Sequence, residues 1–262
     1  MEKVVNPDSY LRDPSSGFEA ISFQRGSEIV ISYAGTYDKD LGGDQLANAG
    51  LATGFGSAQL RQAAEYYLQI KSANPNASIT LTGHSLGGGL AALVGVFFGV
   101  TAQTFDQAPF AKSAASGLFG TASPVGTKLL QTLLDAGYLS DQVRPLSNFL
   151  TMQGRDGGIP NSNLVTNINV QGEFLSSAPW TVFDRIGTTT DTIANSAPGV
   201  SGGDLHAQAL LTAYLQSRGT APSGQALNEV KATRAARLGR GAPATGQAAS
   251  YRAAVPAICQ FV

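Results

Sequence analysis

The stretch Ala77–Phe98 reads A-S-I-T-L-T-G-H-S-L-G-G-G-L-A-A-L-V-G-V-F-F, and its reading decides the fold. Ser78–Thr82 is short, with β-branched Ile79, Thr80 and Thr82, which is a strand signal. Leu90–Phe98 is an apolar run of helix length without proline. Between them stands Gly83-His84-Ser85-Leu86-Gly87, a G-x-S-x-G sequence at a strand-to-helix junction. A serine lifted out on so sharp a turn needs small residues two positions to either side, because the backbone doubles back there. Gly83 and Gly87 meet that need, and the following helix N-terminus aims its dipole and unpaired N–H groups at the serine. In a chain with 31 glycines the bare pattern arises easily by chance, as a glycine-rich turn or an anion-binding loop. The flanking strand and apolar helix make Ser85 a candidate nucleophile.

Working outward, 262 residues suffice for one α/β domain with a sizeable core. Only 13% of residues are charged and the net charge is −1, which argues against a nucleic-acid partner. Cys259 is the one cysteine, so neither an intramolecular disulfide nor a multi-cysteine metal site is available. No cofactor is expected. Met1–Asp13 lacks the apolar stretch of a secretory signal, so any export is expected to use a signal-independent route. Leu90–Val100 is the most apolar segment, and its place after the elbow makes it a buried helix.

Phe18–Phe23 and Glu28–Tyr33 read as two strands joined at Gly26, a hairpin opening the sheet. Ala34-Gly35-Thr36 follows at the strand end. Tyr37–Gly56 is glycine-rich with a short apolar face, and reads either as a lid or as a surface loop. Ser57–Ala73 carries a helical stripe at Leu60, Ala63, Ala64, Tyr67 and Leu68, stopped by Asn74-Pro75. Val100–Phe105 is a further strand, and right-handed crossovers then give a mostly parallel sheet. Residues 107–158 form a long excursion with a helix over Lys128–Ala136. Asn163–Val170 reads as another strand, Trp180–Ile186 as a short strand or turn, and Leu205–Ser217 as a helix. From Arg218 onward, Lys231 and five arginines face only Glu229, which leaves the body net acidic. The expected organisation is therefore a hydrolase-type domain over 1–217 and an Ala/Arg-rich extension over 218–262.

A serine nucleophile needs a base, and the base needs an orienting acid. The chain has two histidines. His84 adjoins Ser85, and the elbow sends its ring elsewhere, to a packing or capping role. His206 stands at a loop-to-helix junction after the last expected strand, and α/β-hydrolases place the base there, in the order serine, acid, histidine. Glu173, three residues past Asn163–Val170 with Gly172 allowing a turn, is the first choice of acid. Asp184, Asp191 and Asp106 are rivals. Asp106 is the least favoured of them, because it ends the strand immediately after the nucleophile helix.

G-H-S-L-G-G-G-L-A, with the strand-end A-G-T upstream, resembles the class 3 lipases, the α/β-hydrolases of the fungal triacylglycerol lipase type. The resemblance runs from about Phe18 to Leu215 and is most specific over Ile79–Ala92. It implies the α/β-hydrolase fold, a mostly parallel central sheet flanked by helices. It also implies an oxyanion hole formed by Thr36 and by the backbone N–H of Leu86, and a lid where Tyr37–Gly56 stands. Asp44 and Asn48 match residues common early in such lids, with Gln45 in place of the usual Trp. At the acid the family usually offers Asp before a proline turn, where this chain has Gly172-Glu173-Phe174-Leu175. The long 107–158 excursion is a further departure.

The function expected from this reading is hydrolysis of lipid carboxylic esters, of triacylglycerol lipase or phospholipase A type, through Ser85, His206 and Glu173. The partners expected are the ester substrate and a transient lipid interface. Two other readings are a lipid- or partner-binding module on the same scaffold without turnover, and an acyltransferase.

Overall fold

The computed structural model describes residues 3–4, 12–13, 16–35, 58–117, 121–176, 183–195, 199–208 and 211. The chain divides into two compact units, Met1–Ser196 and Ala197–Val262. The first holds a sheet whose strands run in the spatial order β1 (Lys3–Val4), β3 (Phe18–Arg25), β4 (Glu28–Tyr33), β5 (Ser78–His84), β6 (Ala102–Phe105), β7 (Val165–Val170) and β8 (Thr188–Ile193), with β2 (Arg12–Asp13) pairing β3. Strands β4 to β8 are parallel, and β3 is antiparallel to β4 as the hairpin reading requires. The expected fold class, an α/β sheet of mainly parallel strands with flanking helices, is what the chain adopts.

The core forms because the apolar faces read from the sequence meet. Helix α1 (Ala58–Ala73) is packed to the hairpin by Tyr66, whose ring lies edge-on to Phe18 and Tyr33 with centroids 6.4 Å away in both cases. Tyr33 OH donates to the Ala63 carbonyl at 2.9 Å, so this buried aromatic leaves no orphaned hydroxyl. Helix α2 (Leu86–Phe98) is buried along its whole length, packed on β5, β6, α1 and the excursion. It begins four residues earlier than its apolar run, despite three successive glycines. Packing overrides propensity here. A Cβ on Gly89 would overlap the Phe110 ring, and one on Gly88 would lie 3.0 Å from the Gly83 carbonyl oxygen.

The excursion contains a short α3 (Ala111–Ala114), then α4 (Pro124–Asp135) and α5 (Ser140–Asp156). Helix α4 starts at a Ser123 cap with Pro124 in the first turn, four residues before the expected start. Helix α5 was not foreseen: Pro145 lies inside it and its outer face is polar. Its buried Val143, Leu146 and Phe149 hold it in place, with Phe149 edge-on to Phe97 of α2 at 4.9 Å. Gln153 ties the excursion together. It accepts from the Ser123 N–H at 2.6 Å and donates to the carbonyls of Ala114 and Gly158.

Strand β8 lies just beyond the strand or turn expected at Trp180–Ile186. In the second unit a four-residue helix α6 (Gly202–Leu205) precedes the helix expected over Leu205–Ser217, of which positions 208 and 211 are described as helical. The proposed lid at Tyr37–Gly56, Thr36 and the 218–262 extension lie outside the described residues, as does the boundary expected after residue 217. Among the described residues no helix is long and apolar enough to cross a membrane.

Candidate active site

The C-terminal ends of parallel strands are where open α/β sheets place their chemistry. In the first unit three neighbouring strands end on polar residues. His84 closes β5 and Ser85 follows it, Asp106 follows β6, and Glu173 follows β7 by three residues.

Ser85 sits at φ 55°, ψ −122°, a backbone conformation that non-glycine residues seldom occupy. Three hydrogen bonds hold it there. Its N–H donates to the Phe105 carbonyl at 3.0 Å, and its own carbonyl accepts from the N–H groups of Gly89 at 3.0 Å and Ala108 at 2.9 Å. The glycine requirement is steric: a Cβ on Gly83 would overlap the Gly87 carbonyl, and one on Gly87 would overlap the Tyr33 carbonyl. A Cβ on Gly35, at the end of β4, would meet the His84 oxygen at 3.0 Å and the Ser85 Cβ at 3.6 Å. The end of β4 at Gly35 therefore lies alongside the serine. The N–H of Leu86 is the first of α2, and the opening N–H groups of a helix have no acceptor within it.

Ser85 is 5% exposed and Leu86 6%, so little solvent reaches the elbow. His84 is also buried, with its Nε2 3.8 Å from Asp106 Oδ2. Asp106 is fully buried. Its Oδ1 accepts the Val170 N–H at 2.7 Å, and its Oδ2 has no hydrogen-bond partner among the described residues. Like Ser85, Asp106 has a positive φ, 42°. Apart from Asn161, these two are the only non-glycine residues with positive φ among those described.

Glu173 is equally buried, but its carboxylate is occupied. Oε2 accepts the Leu175 N–H at 2.7 Å. Oε1 accepts the Ser176 hydroxyl at 2.6 Å and pairs with Arg185 Nη2, also at 2.6 Å. Arg185 Nε donates to the Gln107 carbonyl at 2.7 Å. The Gln107 side chain in turn bonds Thr104, Asn167 and both backbone polar groups of Ile186. Sequence reasoning missed this network. Its members are ordinary polar residues on separate elements, and no spacing signals them.

Among the rival acids, Asp184 is exposed and Asp191 lies within β8. In the second unit His206 caps the C-terminus of α6, donates its N–H to the Gly202 carbonyl at 2.9 Å, and is 1% exposed.

Comparison with known proteins adds the following. Residues 1–177 match the Tle-like phospholipase domain. An extracellular phospholipase A1 of Serratia liquefaciens is 30% identical over 200 residues, covering 67% of this chain and 61% of that protein. The chain thus spans about three fifths of that relative's length. Among solved structures, a lipase of Rhizopus microsporus var. chinensis aligns over 69% of this chain and 57% of its own, at 13% identity and a TM-score of 0.38. A lipase of Yarrowia lipolytica aligns over 78% and 69%, at 13% identity and 0.37.

Proposed function

The chain belongs to the Tle-like phospholipase domain family, and on that premise we propose that it is a serine hydrolase of lipid carboxylic esters. The observation that carries the reading is the backbone at Ser85. A strained residue is held by three hydrogen bonds between two glycines that admit no side chain, at the mouth of a buried helix. Strain kept at one hydroxyl is a mark of function rather than of packing.

In this mechanism Ser85 Oγ attacks the ester carbonyl and His206 takes its proton. A carboxylate holds the imidazole ring and stabilises its charged form. The Leu86 N–H and Thr36 bind the oxyanion, each donor worth about 2.7–4 kcal/mol by comparison with measured cases. The tetrahedral intermediate collapses, and His206 returns the proton to the departing alcohol. Water then attacks the acyl-serine by the same steps in reverse, releasing the fatty acid. The chemistry needs no metal or cofactor. The partners are the lipid ester and, transiently, the lipid surface that presents it. Phospholipid is the first substrate to try, given the family's description and the name of the Serratia relative.

The test is Ser85→Ala. Turnover of p-nitrophenyl esters is expected to fall by at least about 10⁴-fold, and fluorophosphonate labelling to disappear. Fatty-acid release from phosphatidylcholine vesicles is expected to exceed release from triolein emulsions. Near-parental turnover by Ser85→Ala would refute the reading.

A further inference from the structure

We infer that Gln107 is a positioning residue for Ser85: its buried side-chain amide anchors the turn that holds the strained nucleophile in place. This inference rests on the serine-hydrolase reading above and extends it to a residue outside the reacting set.

A residue in a strained backbone conformation keeps it only while its surroundings over-determine it. Two of the three hydrogen bonds that hold the Ser85 backbone come from a single turn, Phe105–Ala108. The Phe105 carbonyl accepts the Ser85 N–H at 3.0 Å, and the Ala108 N–H donates to the Ser85 carbonyl at 2.9 Å. That turn is itself strained, because Asp106 within it has φ 42°. It therefore needs anchors of its own. Asp106 gives one toward β7, where its N–H donates to the Ile168 carbonyl and its Oδ1 accepts the Val170 N–H. Gln107 gives the other, toward the segment that leads into β8.

The Gln107 amide uses both its donor and its acceptor end. Oε1 accepts the Ile186 N–H at 2.8 Å. Nε2 donates to Thr104 Oγ1 at 2.9 Å, to Asn167 Oδ1 and to the Ile186 carbonyl at 3.3 Å. The Gln107 backbone carbonyl accepts Arg185 Nε at 2.7 Å. Gln107, Thr104 and Asn167 are fully buried, so water does not compete for these bonds. A glutamate in this place would lose the donors, and a methionine would lose donors and carbonyl acceptor alike. On its other side Gln107 presses on the nucleophile helix: a Cβ on Gly88 would lie only 3.3 Å from the Gln107 Cα. The turn is thus fastened by Gln107 and packed against the helix whose first N–H is that of Leu86. Released at Gln107, the turn can relax, and Ser85 Oγ and the Leu86 N–H lose their fixed relation. A misplacement of about 1 Å in a reacting group costs about 10²-fold in rate.

The competing role for Gln107 is that of scaffold, joining the ends of β6, β7 and the approach to β8. Asn167 is the control. It bonds Thr104, Gln107 and the Ile186 carbonyl, and reaches the 105–108 turn through Gln107 alone. Its loss leaves Gln107 still bonded to Thr104 and to both polar groups of Ile186. The full chain is assayed with p-nitrophenyl butyrate as parent, Gln107→Ala, Gln107→Met, Asn167→Ala and Ser85→Ala, per folded molecule and below each variant's Tm.

Gln107→Ala is expected to lose about 10²-fold in kcat with KM changed less than about threefold. Its rate of inactivation by a fluorophosphonate should fall in step, because that reaction uses the same hydroxyl. Asn167→Ala should stay within about threefold of the parent in both measurements. A scaffold role would lower Tm in the two variants alike and leave both kcat values near parental. A kcat gap between them of less than about tenfold, or a loss carried by KM, overturns the inference. Gln107→Met fills the space without the donors and should follow Gln107→Ala. Where Gln107→Ala melts below the assay temperature, the same limits are read from Gln107→Met, and a near-parental kcat there overturns the inference. Ser85→Ala separates the two levels. Activity in that variant refutes the hydrolase reading and this inference with it, whereas an inactive Ser85→Ala beside a fully active Gln107→Ala removes the role of Gln107 alone.

Discussion

The ends of β6 and β7 lie side by side in one sheet, and each presents a buried acid. At the end of β7, the Glu173 carboxylate receives the Leu175 N–H, the Ser176 hydroxyl and the Arg185 guanidinium. At the end of β6, Asp106 has a single amide on one oxygen, while the second lies 3.8 Å from His84 Nε2 and has no hydrogen bond among the described residues. Burial is the same in both, complete in each case. What differs is how much of the desolvation cost the surroundings have already offset. A carboxylate whose donors are all supplied locally is part of the scaffold. One that remains short of a donor is available to a partner.

The largest effect expected on stability comes from stripping the satisfied acid. Glu173→Ala leaves Arg185 only 17% exposed and without its counter-charge. Breaking such a pair from one side costs about 3–5 kcal/mol. For a chain of this size that corresponds to a fall of roughly 6–20 °C in Tm. Calorimetry reads the fall directly. A Tm unchanged within a degree would show that the clamp around Glu173 contributes nothing, and the contrast between the two strand ends would collapse.

A smaller effect is expected one layer down, where Asn167 receives bonds from Thr104 and Gln107 and donates to the Ile186 carbonyl. Asn167→Ala removes one bond from each of three buried neighbours, Thr104, Gln107 and the Ile186 carbonyl, and a group left unsatisfied costs about 1–3 kcal/mol. Gln107→Ala should cost a similar amount, and the double variant less than the two costs added together, because the two side chains share partners. Strict additivity in urea melts would mean that the network does not act as one unit.

Most of the architecture was legible because it follows from local sterics and period. The elbow is an instance: Gly83 and Gly87 are dictated by backbone approaching backbone, which a motif can record. The hairpin, α1 and the β5–α2–β6 run announced themselves by spacing. Helix α5 did not, since Pro145 and a polar outer face hide three core residues. Nor did β8, whose Thr188-Thr189-Thr190-Asp191-Thr192 has few apolar residues to alternate. How each candidate acid is bonded was out of reach for a different reason. Sequence shows which carboxylates follow strands, but whether an oxygen is free depends on an arginine twelve positions further on and on an amide from the next strand. Those are tertiary facts. Glu173 is the first choice of acid because its turn is open in sequence, and in space its carboxylate also receives an amide, a hydroxyl and a guanidinium.

A third buried acid sharpens the comparison with the smallest expected effect. Glu65 lies on α1 with its side chain 7% exposed, and burial raises its pKa above the ordinary carboxylate value while Arg61, 3.5 Å away, partly offsets the rise. Its ion-pair partner among the described residues is Arg61, one turn earlier on the same helix. A carboxyl whose folded pKa is raised binds its proton more tightly in the fold than in the unfolded chain. Its favourable contribution is therefore fully present below the unfolded value, about 4.3, and is lost as pH rises through the folded value. Glu65→Gln removes the charge without removing the shape. The variant is expected to gain Tm over the parent at pH 7 and to lose that advantage at pH 4, where the parent carboxyl is itself becoming neutral. Glu173→Gln should do the reverse at pH 7, losing Tm because a neutral amide cannot answer Arg185. If both glutamines shift Tm in the same direction at neutral pH, the number of donors around a buried acid does not decide its part in the fold.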